Sequence, residues 1–75
     1  MMEWEYDPEE PKALVLYKDG REVYDIPLNN CKTRKEVLNW IAQINGKSWA
    51  TNEVVGDFVR ELDTLVGLRT LKDNL

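Results

Sequence analysis

Cys31, Ser48 and Thr51 are side chains of nucleophilic type, and Gly46-Lys47-Ser48 has the closing triplet of a phosphate-binding loop. Each needs more than its own identity. A thiolate needs a nearby cation, which Lys32 and Lys35 supply in sequence, whereas a hydroxyl needs an adjacent base, and the 75-residue chain holds no His. The phosphate loop needs a second glycine five residues before Gly46, and Ile41 stands there. The missing glycine removes the backbone nest that would cradle phosphates, so the triplet reads as a turn between helices. Without His, imidazole-based triads, His-ligated zinc and His pH switching are excluded. One cysteine makes neither an internal disulfide nor a two-cysteine metal site, so a compact apolar filler is its expected role and a reducing, cytoplasmic setting its expected location. No cofactor, no metal and no catalytic residue is expected.

The elements that would position these residues follow from pattern. A chain of 8.8 kDa is one small domain, 1–75, with 43% hydrophobic residues to build its core. Met2, Trp4 and Tyr6 alternate with Glu3, Glu5 and Asp7, the period-two pattern of a strand, so residues 1–11 read as an acidic edge strand followed by the bend Pro8-Glu9-Glu10-Pro11. Residues 13–28 read as a β-hairpin turning at Asp19-Gly20, with either a two-residue turn pairing Lys18 with Arg21 or a three-residue turn pairing Tyr17 with Arg21. Residues 33–67 read as a pair of helices. Thr33 and Glu36 form a capping box, Val37, Leu38, Trp40, Ile41 and Ile44 give the first apolar stripe, and Asn45-Gly46 ends it. Thr51 caps a second helix whose stripe runs Val54, Val55, Phe58, Val59, Leu62, Leu65 and Val66 to Gly67. The tail, 68–75, either packs its leucines back or frays. The expected fold is α+β, two layers, a hairpin or three-stranded antiparallel meander followed by two helices, ββαα or βββαα.

Charge narrows the partners. The net charge is −4, distributed as −5 over residues 1–11, +3 over 12–48 and −2 over 49–75. An acidic chain lacks the lysines and arginines that displace counterions from a phosphate backbone, so no nucleic-acid partner is expected, and no apolar run is long enough to cross a membrane. A protein partner remains, or a second copy meeting the first across an exposed edge. The residues placed to contact one are Trp4, Tyr6, Glu3, Glu5 and Asp7 on the first strand, Lys47 and Trp49 near the interhelix turn, and the acidic helix strip Glu53, Asp57 and Glu61. Each has a plainer reading as well. The strand carboxylates keep an edge from aggregating, the helix strip is a solvated outer face, and Trp40 and Trp49 pack into the core.

The stretch Glu36 to Thr51, EVLNWIAQINGKSWAT, resembles a pattern of small bacterial and phage proteins of unknown function: a Trp-Ile pair, then Gln, then Lys-x-Trp, then a Thr cap. Trp40, Gln43, Lys47, Trp49 and Thr51 carry it. The resemblance implies a bacterial or phage origin and supplies no catalytic residue. The combined expectation is a small non-enzymatic protein-interaction module that binds a larger bacterial protein through an apolar-aromatic patch. The alternative is an acidic inhibitor or nucleic-acid mimic of phage type, acting against host defence or in host takeover.

Overall fold

The computed structural model describes residues 2–68. Three antiparallel strands, β1 (Met2–Asp7), β2 (Ala13–Lys18) and β3 (Arg21–Pro27), form a sheet in the order β1-β2-β3 and are followed by α1 (Arg34–Asn45) and α2 (Asn52–Val66). This is the βββαα form of the expected α+β fold. Asp19 and Gly20 both take positive φ, 52° and 82°, which is the backbone of a two-residue hairpin turn, and Lys18 pairs with Arg21. The open choice of register is thereby resolved. A bulge follows at once: Tyr17 pairs with Glu22 but Leu16 pairs with Tyr24, leaving Val23 as the extra residue.

Gly20→Ala isolates what that turn demands. A Cβ there meets nothing within 4 Å, so only the positive φ opposes it. A loss of about 1–2 kcal/mol in urea unfolding is expected, and no loss would contradict the turn.

The register sorts the strand residues onto two faces. Trp4, Leu16 and Tyr24 form one inward row and Tyr6, Leu14 and Ile26 the next, while Glu5, Val15 and Asp25 lie on the outer face between the rows Glu3, Tyr17, Glu22 and Asp7, Ala13, Pro27. The helices cover the inward face. Leu14, Leu16, Ile26, Val37, Ile44, Val54, Phe58 and Leu62 form its buried centre. Trp4, expected as a contact for a partner, belongs to this core instead: it is 7% exposed, lies 5.1 Å from the Phe58 ring, and its Nε1 donates to the Val54 carbonyl at 3.0 Å. A half-apolar indole so enclosed must satisfy its one donor, and the first turn of α2 provides the acceptor.

Both helix starts form as their sequences dictate. Glu36 N–H donates to Thr33 Oγ1 at 3.2 Å while Glu36 Oε1 accepts from Thr33 N–H at 3.2 Å, and Val54 N–H donates to Thr51 Oγ1 at 3.1 Å. The two ends differ. Gly67 closes α2 in the left-handed conformation, φ 70°, whereas Gly46 keeps a right-handed φ of −79° and α1 unwinds through short bonds from Gly46 to Gln43 and from Lys47 to Ile44. Leu38, assigned to the apolar stripe of α1, is 63% exposed, because the stripe that packs is Val37, Ile41 and Ile44 and Leu38 lies beside it. The tail from residue 69 onward lies outside the described residues.

Candidate functional site

The three nucleophile candidates lie in different surroundings. Cys31 is 1% exposed, its thiol directed at the Pro27 carbonyl at 3.8 Å. Burial, with Glu36 nearby adding to it, pushes the thiol up to about 11, so Lys32 and Lys35 do not activate it. At pH 8, alkylation by iodoacetamide should be about two orders of magnitude slower in the native chain than in urea, since the thiolate fraction falls in that proportion. Equal rates would place the thiol in solvent. The same shift predicts a loss of stability as pH rises from about 9 towards 11, where the unfolded thiol ionises and the folded one does not. The Thr51 hydroxyl oxygen is engaged as a helix cap, and Ser48 stands exposed on the interhelix turn.

A different group of side chains comes together at the β3 side of the molecule. Tyr24, from β3, meets Trp40, from α1, edge-on with ring centroids 6.3 Å apart and planes at 80°. Trp49, from the turn between the helices, lies 5.5 Å from Tyr24 at 57°. Lys47 sets its Nζ 5.4 Å from the centre of the Tyr24 ring, and the Tyr24 hydroxyl donates to Gln43 Oε1 at 3.5 Å. Trp40 in turn donates from Nε1 to the Asn30 carbonyl at 3.1 Å, which fixes its ring. All three rings are half-buried, and Lys47 and Gln43 are exposed at their margin. Beside them Asn30, Glu36, Asn39, Trp40 and Gln43 enclose a shallow depression of about 220 Å³.

Three segments build this ridge. The parity of β3 turns Tyr24 inward with Ile26, but Tyr24 lies on an edge strand, so its ring reaches past the core instead of into it. Trp40 and Gln43, three residues apart, lie on one face of α1. The unwinding after Asn45 then brings Lys47 and Trp49 back over the same ring. Each aromatic pair contributes on the order of 1 kcal/mol beyond its burial, and the exposed cation somewhat less.

Of the residues singled out in the sequence, Lys47 and Trp49 belong to the ridge. Thr51, the last residue of the Glu36–Thr51 pattern, caps α2 instead. Tyr24, Trp40 and Gln43 are the members that the choice of contact residues missed. Trp40 and Gln43 carried a signal in their spacing from Lys47 and Trp49, and Tyr24 carried only its strand parity. Glu3, Glu5, Asp7 and Tyr6 are exposed along β1, at the other edge of the sheet. Glu53 and Glu61 are exposed on α2, and Asp57 between them is half-buried and paired with Arg60, which partly offsets the strip's charge.

The chain is thus a small α+β module with an aromatic ridge on one sheet edge. Comparison with protein-family models, curated proteins and solved structures found no match. No helix among the described residues is long and apolar enough to cross a membrane, and no group of three or more Cys, Asp or Glu among them is placed to hold a metal ion.

Proposed function

We propose that the chain is a non-enzymatic protein-interaction module whose contact surface is the ridge of Tyr24, Trp40 and Trp49. The observation that carries this reading is the convergence of three half-exposed rings from separate segments on one patch, rimmed by Lys47, Gln43 and Asn39. Large, rigid aromatic groups with a polar margin are the anatomy of an energetic centre in protein interfaces, because they bury much area for little lost conformational freedom. The rings are already held in place by each other and by the Asn30 and Gln43 bonds. Binding therefore costs little further ordering.

The occupied Thr51 hydroxyl and the buried, protonated Cys31 thiol support a binder over an enzyme. The resemblance of the Glu36–Thr51 stretch favours a bacterial protein as the partner, met in the cytoplasm. The test is loss of that partner on Trp49→Ala with the fold intact. A second reading, an acidic inhibitor occupying a basic groove, is favoured by the five carboxylates of Glu3, Glu5, Asp7, Glu22 and Asp25, which the register gathers on the outer sheet face. Salt separates the two, since an apolar-aromatic contact is insensitive to ionic strength and a charge-driven one is not.

A further inference from the structure

The two edges of the sheet are not alike. β3 is broken by the Val23 bulge and closes on Pro27, two devices that keep an edge from accepting another strand. β1 keeps unbroken register with β2 over six residues and contains no proline. The backbone N–H and C=O groups on its far side have no neighbouring strand among the described residues.

Side chains on both sides of β1 set what can pair there. Glu3, Glu5 and Asp7 line its outer face, all exposed. On its inner side α2 packs over the strand, and Met2, Thr51, Glu53, Val54 and Asp57 line a depression of about 340 Å³. Tyr6, 39% exposed, gives an apolar rest at the strand's other end. A second copy adding its own β1 antiparallel would set carboxylates against carboxylates on the same face, which is destabilising at cross-strand distance. A strand with a cation at every second residue would set each one against a carboxylate. Its alternate apolar residues would lie towards Met2 and Tyr6.

From these observations we propose that the free edge of β1 is a docking site for an extended, Lys/Arg-rich segment of a partner protein, taken up as a fourth strand. The site lies at the opposite edge from the aromatic ridge and does not depend on it. The outer carboxylates then have a double role, refusing self-association and selecting a basic strand.

The probe is a synthetic peptide alternating Lys and Val over seven residues, capped at both ends, titrated into the isotope-labelled full chain and followed through backbone amide resonances. Two further peptides carry N-methyl groups, one on every Lys and the other on every Val, because the N–H groups facing a neighbouring strand all belong to one of these sets. Perturbation and slowed hydrogen exchange should centre on β1. One N-methylated peptide should bind at least about tenfold more weakly than the parent while the other binds like it. Affinity should fall at least about tenfold between roughly 50 mM and 500 mM NaCl, as the Debye length shrinks from about 14 Å to 4 Å, and a Glu3→Gln, Glu5→Gln, Asp7→Asn variant with an unchanged melting temperature should bind more weakly to a similar degree. No binding, binding centred on β3 or α1, or equal binding of both N-methylated peptides would overturn the proposal.

Discussion

Phe58→Ala should lower the unfolding free energy by about 3–5 kcal/mol, the cost of removing a large aromatic from a closed core. Phe58 is 0% exposed, and it is the largest fully buried side chain among the described residues. It sits where α2 meets the sheet, with Trp4 at 5.1 Å and Leu62 one turn further along the buried stripe of the helix. The Trp4 ring loses its packing partner when Phe58 is removed. Its Nε1 bond to Val54, one turn before Phe58 on the same helix, then holds an indole against a void. A chain this short has few other contacts with which to offset the loss. Phe58→Leu keeps most of the volume and should cost about 1.5 kcal/mol or less. Urea unfolding followed by tryptophan fluorescence reads both. A loss under about 1 kcal/mol for the alanine variant would mean that the helix buries a different face.

Trp49→Ala should reduce affinity for the partner by about thirtyfold or more, the effect of truncating a central aromatic anchor, about 2 kcal/mol. Its effect on stability should be much smaller. Trp49 stands on a turn, half-buried, and its ring partner Tyr24 keeps its contact with Trp40, while Tyr24 and Trp40 keep their bonds to Gln43 and Asn30. Trp40→Ala should weaken binding comparably but cost more stability, because it removes the hydrogen bond to Asn30 and the edge-on contact with Tyr24 together. Lys47→Ala tests the margin of the patch and should change affinity by a few-fold at most. Affinities of purified variants, compared with their melting temperatures, separate loss of contact from loss of fold.

The elements were legible because their signals are local. Thr33 with Glu36, Thr51 ahead of Val54 and Asp19-Gly20 each act within four residues, and the structure uses each for the purpose its chemistry suggests. Trp4 misleads because strand alternation marks its face as apolar without saying whether the helices or a partner cover it. The Phe58 ring and the Val54 carbonyl, both distant in sequence, hold the tryptophan inside. Leu38 misleads as well, since helical spacing admits it to the stripe while it stands 63% exposed at the rim of a depression that it shares with Val37, Ile41, Val59 and Leu68. The ridge was half visible. Trp40, Gln43, Lys47 and Trp49 are close in sequence, but the ring that joins them belongs to Tyr24, and β3 meets α1 only through tertiary packing. The acidic outer face was likewise visible only on its β1 side until the register added Glu22 and Asp25.

The most direct test of the ridge as the contact surface is quantitative capture from bacterial lysate on immobilised full chain, with Trp49→Ala alongside, at about 50 mM and 500 mM salt, a range that removes most exposed electrostatic attraction. One protein enriched at both salt concentrations and lost with Trp49→Ala is the predicted result. A lysate from which no protein is both retained at the higher salt and lost with Trp49→Ala would contradict the ridge, and partners held only at the lower salt would then leave the carboxylates of the sheet as the contact.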